Sequence, residues 1–316
     1  MKNPHIHWAI KTLQKYGYHV QQPAEQVQGT PWSEVCRFTT DQGLVYLKMT
    51  PSALWLEANI ITLLHDKFQA KVPQIIATNE GAHCFLMVDA GVQLYDCFKQ
   101  SFQSELLIQA IQDYTATQIL TANHVELFLT MGVPDWRLAQ LPKLYRQLIE
   151  QDNLLLNDGL TQKELKKLKA LEPELLFICE QLSRYAIPET LSHCDFHDKN
   201  ILVNTQTNQT TIIDLGEVAI THPFFSFLNC LHRAKENFAL TEPQYQHLIE
   251  ACFKHWLELE SSTHLFEILS IIQKCWSIHS VLGEYRLMNS VDRESFLALK
   301  RQGRLSRNLR CWLEQY

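Results

Sequence analysis

The segment LSHCDFHDKNILVNTQTNQTTIIDLGE, residues 191–217, joins a strand pattern to a group of acidic and amide side chains. Two short apolar runs, Ile201–Val203 and Thr211–Ile213, flank a polar stretch of Asn, Thr and Gln. Apolar runs on both sides of a polar turn are typical of a β-hairpin. We therefore expect two paired strands here, with the residues just before and just after them at one end of the pair.

Three polar side chains belong to that end of the predicted hairpin. Asp195 and Asn200 precede the first strand, and Asp214 ends the second. Carboxylate and amide oxygens suit Mg²⁺ on a nucleotide, and a carboxylate can accept the proton of a hydroxyl that attacks a γ-phosphate. The hairpin therefore predicts a site for phosphoryl transfer.

These residues resemble the motifs of a known family. The pattern His193-x-Asp195, with Asn200 at the kinase catalytic-loop spacing and Ile213-Asp214 downstream, resembles the catalytic and metal-binding loops of the aminoglycoside phosphotransferase and choline kinase family. Members of this family are small-molecule relatives of the eukaryotic protein kinases. The resemblance implies ATP and Mg²⁺ as cofactors.

The resemblance also implies an α+β, protein-kinase-like fold of two lobes. Residues 1–90 would form a nucleotide-binding lobe with an antiparallel sheet and a helix. Residues 91–316 would form a mainly helical lobe with the catalytic loop and the substrate site. Apolar periodicity predicts strands at 35–38, 44–49, 72–77 and 84–88, and helices at 4–16, 52–64, 106–123, 143–150, 162–184, 224–233, 242–260 and 265–282.

Roles in the catalytic loop follow from the resemblance. Asp195 would be the catalytic base, and Asn200 and Asp214 would bind Mg²⁺. His193 is expected to brace the loop by hydrogen bonding rather than to act chemically. Lys199 would either neutralise charge that develops on the phosphate or point into solvent, and the sequence leaves both alternatives open.

A lysine and a glutamate in the N-terminal part of the chain complete the expected nucleotide site. Lys48 ends a predicted strand, and Glu57 lies in the predicted helix that follows. Alone, such residues are ordinary solvated side chains. In the family that this chain resembles, the strand lysine contacts the α- and β-phosphates and the glutamate holds it in place.

Further nucleotide contacts are expected from a loop and from a strand end. The segment 28–33 precedes the first predicted strand, and the hydroxyl of Ser33 or Thr30 would contact phosphate there. Met87 and Val88 end the strand at which kinase-like folds bind adenine, so they would pack on or bond to the base. An ordinary turn and a plain strand end are the alternatives.

The composition narrows the class of protein. The 316 residues carry a formal charge of −6, which gives no sign of a basic surface for nucleic acid. No apolar run is long enough for a membrane-spanning helix, and the N-terminus lacks the apolar core of a signal peptide. The nine cysteines are scattered without a C-x-x-C pair, so free thiols in a reducing cytoplasm are expected.

Together these features predict an ATP- and Mg²⁺-dependent phosphotransferase that moves the γ-phosphate to a hydroxyl of a small molecule. Two alternatives remain. One is a kinase fold that binds nucleotide or a partner without catalysis. The other is a zinc hydrolase, because His193, Asp195 and His197 alternate along an extended segment and would face one side.

The substrate itself is not predicted. The family that the chain resembles accepts aminoglycosides, choline, homoserine and other alcohols. An acidic pocket would suit a cationic substrate, and Asp113, Asp135 and Glu217 are candidate carboxylates for it. Glu217 is alternatively a turn cap or a ligand of a second metal. Residues 132–137 either help to build a substrate pocket or only shape a turn.

Overall fold

The computed structural model describes residues 3–298 and 301–316. The N-terminal elements are α1 (Pro4–Lys15), β1 (Glu25–Thr30), β2 (Ser33–Thr40), β3 (Gly43–Met49), α2 (Leu56–Phe68), β4 (Ile75–Asn79) and β5 (Cys84–Val88). The five strands form one antiparallel sheet in the order β1-β2-β3-β5-β4. This is the sheet-and-helix unit that the sequence predicts.

Strand β3 separates the core of this sheet from the site. Val45 and Leu47 are buried and share an apolar cluster with Leu13 of α1. Successive side chains of a strand point to opposite faces, so Lys48 projects from the other face. There it meets Glu57 of α2, at 2.8 Å. The apolar residues of β3 therefore pack in the core, and its lysine lies on the opposite face of the sheet.

The C-terminal part of the chain is mainly helical. Its elements are β6 (Val92–Gln93), α3 (Leu94–Gln100), α4 (Ser104–Ala122), α5 (Val125–Thr130), α6 (Leu141–Ile149), α7 (Asp152–Asn157), α8 (Gln162–Ala170), α9 (Glu172–Leu182), β7 (Thr190–His193), β8 (Ile201–Val203), β9 (Thr210–Ile212), β10 (Val218–Thr221), α10 (Phe224–Asn237), α11 (Glu242–Phe253), α12 (Ser262–Asn289), α13 (Arg293–Ala298) and α14 (Arg304–Leu313). No helix in the described ranges is both long and apolar enough to cross a membrane.

Gly91 connects the N-terminal sheet to the mainly helical part at a point where the backbone packs closely against another segment. Gly91 follows β5 with φ of +115°, and a Cβ atom there would lie 2.2 Å from the carbonyl oxygen of Val203. Only glycine tolerates both the left-handed backbone and this approach. As a result β6 pairs with β8, with Val92 opposite Val203, and the connection lies directly against the predicted hairpin.

The hairpin itself forms as predicted. Strands β8 and β9 pair antiparallel, with Ile201 opposite Ile212. Strands β7 and β10, on either side of the hairpin in the chain, pair with each other. Both pairs rest on a large apolar core in which Phe196, Phe224 and Trp256 are fully buried. The polar loop between β7 and β8 is therefore fixed at both ends by paired strands.

Some predicted boundaries were wrong. The single helix expected at 162–184 is two helices, α8 and α9, because Pro173 has no N–H to donate and begins a new helix in its first turn. The helix expected at 242–260 ends at Phe253, and that expected at 265–282 extends over Ser262–Asn289. The strand expected at 72–77 is shifted to Ile75–Asn79. A division of the chain at residues 90–91 remains a prediction.

Candidate active site

His193, at the end of β7, holds the catalytic loop together. Its backbone N–H donates to the Tyr114 hydroxyl at 2.6 Å, and its ring Nε2 lies 2.9 Å from the carbonyl oxygen of Ile213. Its Nδ1 accepts the backbone N–H of Asp195 at 3.2 Å. Burial lowers the pKa of His193, so the ring is neutral and carries its proton on Nε2. This bracing role is the one expected from the sequence.

The zinc alternative does not agree with this geometry. Both ring nitrogens of His193 are used within the loop, so neither is left to bind a metal. Throughout residues 3–298 and 301–316, no three His, Cys, Asp or Glu side chains are placed to share a metal ion. The alternation of His193, Asp195 and His197 in the sequence therefore does not produce a shared ligand set.

Asp195 lies in the cleft with both carboxylate oxygens oriented by neighbours. Oδ1 accepts from Asn229 at 3.0 Å, and Oδ2 lies 3.2 Å from both His197 Nε2 and Asn200 Nδ2. Burial by itself raises the pKa of Asp195. Hydrogen bonds from His197 and Asn229, together with the charge of His197, outweigh burial and bring the pKa below its ordinary range. The side chain stays 43% exposed, so an ionised carboxylate faces the cleft.

Asn200 and Asp214 are brought together by the hairpin. The backbone N–H of Ile213 donates to the carbonyl oxygen of Asn200 at 3.0 Å. The side-chain nitrogen of Asn200 donates to Asp195, which leaves the amide oxygen for another partner. Asp214 has a left-handed backbone, with φ of 64°, and its side chain is 39% exposed. An amide oxygen and a carboxylate are the hard donors that Mg²⁺ requires, so this pair fits that ion.

Lys48 connects the sheet to this loop. Its Nζ lies 2.8 Å from Glu57 Oε1 and 2.7 Å from Asp214 Oδ1, and the Lys48 and Glu57 side chains are both buried. Burial lowers the pKa of Lys48, but attraction to Asp214 and Glu57 outweighs it and raises the pKa above its ordinary value. The positive charge of Lys48 is the largest cause of the lowered pKa of Asp214. The lysine is therefore an ammonium fixed between two carboxylates.

The loop after Leu215 packs directly on Glu57. A Cβ atom at Gly216 would lie 3.4 Å from Glu57 Oε2, which is the near edge of ordinary van der Waals contact. The backbone at Gly216 therefore helps to enclose the carboxylate that holds Lys48.

One cleft of about 460 Å³ contains five of the ten predicted site residues: Ser33, Lys48, Glu57, Asp195 and Asp214 all line it. The hydroxyl of Ser33 accepts from Gln28 Nε2 at 3.1 Å, within the loop expected to cover phosphates. A larger cavity of about 670 Å³ is lined by Pro134 and Trp136 but by none of these charged groups. The segment 132–137 therefore borders a different cavity.

Five predicted site residues are not among the described residues that line this cleft: His193, Asn200, Lys199, Met87 and Val88. Of these, His193 and Asn200 are buried and form hydrogen bonds with Asp195. The Lys199 ammonium lies 4.5 Å from the centre of the Tyr95 ring, and Lys199 is not among the described residues of the cleft wall. Met87 and Val88 do not line it either. The backbone N–H of Val88 already donates to the carbonyl oxygen of Gln74, at 3.0 Å, so it is not free to bond to a base.

The three candidate carboxylates for a substrate pocket do not lie together. Asp113 accepts the Thr210 hydroxyl at 3.0 Å and so supports β9. Asp135 pairs with Arg137 at 2.7 Å. Of the three candidate carboxylates only Glu217 lines the cleft, and burial together with Asp195 and Asp214 raises its pKa to about 8.

Sequence reasoning missed several residues of the cleft. Asn229 comes from α10, and no local pattern marks it as a partner of Asp195. His197 was considered only as a zinc ligand, although its position two residues after the aspartate was visible. Trp32, Arg301 and Arg304 also line the cleft. Only tertiary packing brings residues so far apart in the chain together.

Comparison with protein families gives one match. Residues 32–260 match the model of the phosphotransferase enzyme family. This range contains the lysine, the glutamate and the whole hairpin with its flanking loops. A comparison with curated proteins found no match.

Many solved structures share the fold. The chain is similar to an ethanolamine kinase of Plasmodium vivax, with 14% identity, a TM-score of 0.59 and coverage of 85% of this chain and 82% of that one. It is similar to APH(2")-IIia in complex with GDP and kanamycin, with 15% identity, a TM-score of 0.60 and 98% of each chain covered. A thermostable mutant of aminoglycoside phosphotransferase APH(4)-Ia, in a ternary complex with ADP and hygromycin B, has 14% identity and a TM-score of 0.57, over 98% of this chain and 99% of that one. The protein-kinase-like fold class is thereby confirmed.

Proposed function

Because the chain belongs to the phosphotransferase enzyme family, we propose that it transfers the γ-phosphate of ATP to a hydroxyl group of a small molecule. Asp195 is the catalytic base, and Asn200 and Asp214 hold Mg²⁺. The observation that carries this proposal is the ionised Asp195 carboxylate, fixed by Asn229 and His197 in the same cleft as the Lys48 ammonium.

The chemistry divides between two groups of residues. Asp195 accepts the proton of the acceptor hydroxyl as the hydroxyl oxygen bonds to the γ-phosphorus. The bond between that phosphorus and the β,γ-bridging oxygen breaks, and ADP leaves with the electron pair. Lys48, held by Glu57, binds the α- and β-phosphates. When bound at Asn200 and Asp214, Mg²⁺ neutralises charge on the phosphates.

Positioning accounts for most of the rate enhancement in such a reaction. Asn229 and His197 fix the plane of the Asp195 carboxylate, and His193 fixes the backbone beneath it. The loop of Ser33 covers the phosphates from the sheet side. Residues 1–90 thus supply the nucleotide lobe, and the remainder supplies the base and the acceptor site.

The test is ADP release measured with a panel of alcohols for the wild type and for Asp195→Asn. We expect turnover with at least one alcohol, and a fall of about 10²–10⁴ in Asp195→Asn because the general base is lost. Binding of MgATP, followed by thermal shift, should be retained. Asp96→Asn, at an exposed carboxylate, is the matched control and should keep full activity.

Two outcomes contradict the proposal. Full turnover in Asp195→Asn would remove this residue as the base. Tight MgATP binding by the wild type, with no ADP formed from any alcohol, would favour the alternative of a kinase fold that binds nucleotide without catalysis.

A further inference from the structure

The wall of the cleft that faces Asp195 is one face of α12. The residues of this helix that line the cleft recur at spacings of three and four, which places them on a single side. They are Trp276, His279, Ser280, Gly283, Glu284 and Leu287. Arg301 and Arg304 line the cleft beside this face. We call this surface, the α12 face with Arg301 and Arg304, the acceptor wall.

The carboxylate of Glu284, on the acceptor wall, lies close to two guanidinium groups. Glu284 is buried and accepts from Arg301 through both oxygens, with Nε at 2.7 Å and Nη2 in closer contact. Arg304 Nη1 lies 3.8 Å from the same carboxylate, beyond hydrogen-bond distance, and its side chain is 42% exposed. Within the described residues, the Arg304 guanidinium donates no hydrogen bond. Its charge and its donors are therefore available to a ligand.

Arg286, also on α12, does not add to this charge. It donates to the carbonyl oxygens of Val218 and Gly216, at 2.8 and 3.0 Å, and borders the larger cavity beside Pro134. Within the described residues of the cleft wall, Glu284 is the carboxylate that Arg301 and Arg304 share, and Glu217 is the other acid near Arg301. Arg304 is therefore the guanidinium of the acceptor wall that is left without a hydrogen-bond acceptor.

The proposed function assigns the nucleotide to other residues. The family match covers residues 32–260, which include Lys48, Asp195 and Asp214. Arg301 and Arg304 lie beyond that range, on elements that follow α12 in the chain. The groups assigned to the nucleotide therefore do not include either of these arginines.

We propose that the acceptor carries an acidic group, a carboxylate or a phosphate, next to the hydroxyl that is phosphorylated, and that Arg304 with Arg301 binds this group. The inference rests on the proposed function and names the substrate class of the same site. Of the carboxylates that could have suited a cationic substrate, Asp113 bonds to Thr210 and Asp135 pairs with Arg137, and neither is among the described residues that line the cleft. A planar guanidinium can bind a carboxylate or phosphate through two parallel hydrogen bonds, which suits this role.

The experiment compares acceptors that share one hexose skeleton. Glucuronate, glucose 6-phosphate, glucose and glucosamine present a carboxylate, a phosphate, no charge and a positive charge. Binding to the protein with MgADP present is measured by thermal shift and calorimetry, and transfer is measured with MgATP. The protein is the wild type, Arg304→Gln, or Arg307→Gln, a control at an exposed arginine on the same helix.

We expect one of the two acidic hexoses to bind in preference to glucose and glucosamine, and the choice between them identifies carboxylate or phosphate. Arg304→Gln should weaken that binding, and raise the KM for that acceptor, by about tenfold or more, because a charge-assisted pair is lost. The KM for ATP should stay unchanged, and Arg307→Gln should behave as the wild type.

Several outcomes would overturn the proposal. They are a preference for glucosamine, an acid preference that survives Arg304→Gln, and a rise in the KM for ATP in place of that for the acceptor. The last would assign Arg304 to the nucleotide. Absence of binding by both acidic hexoses to the MgADP complex also overturns it. Nucleotide binding, measured in the same experiments, shows whether the proposed function has failed separately.

Discussion

The two walls of the cleft balance their charges in different ways. On the nucleotide wall, formed by Lys48, Glu57 and Asp214, a buried cation lies within 2.8 Å of two carboxylates. On the acceptor wall, Arg301 and Arg304 share one buried carboxylate. The first arrangement lies within the range that matches the family model, and the second lies beyond it. Complete pairing holds the Lys48 ammonium in a fixed position, whereas incomplete pairing leaves the donors of Arg304 available to a ligand.

The largest effect is expected from breaking the nucleotide wall. Lys48→Met leaves Glu57 buried without a cation, and loss of one partner of a buried pair costs about 3–5 kcal/mol. The free energy of unfolding, from urea denaturation, should fall by that amount, and MgATP binding should be lost. The double variant Lys48→Met with Glu57→Gln should recover part of the stability because the buried Glu57 position no longer carries an unpaired charge, and the Asp214 carboxylate that remains is 39% exposed.

The control for that series is Lys11→Met, at an exposed lysine of α1, which should change stability by no more than about 0.5 kcal/mol. A double variant that is no more stable than Lys48→Met alone would contradict the idea that the unpaired carboxylate is the cause.

A smaller effect is expected on the acceptor wall. Glu284→Gln removes the charge that Arg301 and Arg304 share, and a hydrogen bond to a charged group contributes about 1.5–3 kcal/mol. The arginines are 19% and 42% exposed, so water compensates part of the loss. Urea denaturation should show the fall, with MgATP affinity unchanged. The control is Glu267→Gln, at an exposed carboxylate on the same helix, which should have little effect. A fall in MgATP affinity in Glu284→Gln would contradict the separation of the two walls, because it would show that the acceptor wall contributes to nucleotide binding.

The smallest effect concerns the scaffold beneath both walls. His222, between β10 and α10, is buried, and burial lowers its pKa to about 3. An unfolded histidine titrates near pH 6.5, so below that pH only the unfolded chain takes up the proton. The free energy of unfolding should therefore fall by roughly 1.4 kcal/mol per pH unit as the pH drops below 6.5, toward the folded pKa.

His222→Asn should reduce this slope between pH 6.5 and 5, as measured by urea denaturation at several pH values. Asparagine can replace the ring Nδ1 that accepts the backbone N–H of Phe224, at 3.3 Å, and it does not titrate. An unchanged slope would show that His222 is not among the groups that make the fold sensitive to acid.

Local sequence patterns predicted the nucleotide wall well. The hairpin that places Asn200 next to Asp214 depends on short apolar runs and a polar turn, and the pairing of Ile201 with Ile212 follows from them. Local pattern placed Lys48 on a strand and Glu57 on the helix that follows, and the resemblance to the family then predicted their contact. Both features depend on contacts between neighbouring elements, for which periodicity is informative.

The acceptor wall was not predictable in this way. Arg301 and Trp32 approach each other only when the sheet and the final helices have packed, and no local pattern signals such a contact. Asn229 orients Asp195 from the middle of α10. The sequence of this helix has an ordinary amphipathic pattern. Polar residues on a helix face are usually solvated, so those that face a cleft cannot be recognised without the tertiary arrangement.

The contact of Trp32 across the cleft has a consequence for how the protein is made. Its indole Nε1 donates to the carbonyl oxygen of Leu287 at 3.0 Å, and the Arg301 guanidinium lies 4.8 Å from the centre of the ring. The loop between β1 and β2 leaves the ribosome before its partners, since Trp32 precedes Leu287 by 255 residues. During synthesis the sheet can form early, but the contact of Trp32 across the cleft forms only after α12 has been made. A ribosome-bound chain that stops before Leu287 would therefore carry a folded sheet beside an unfinished cleft.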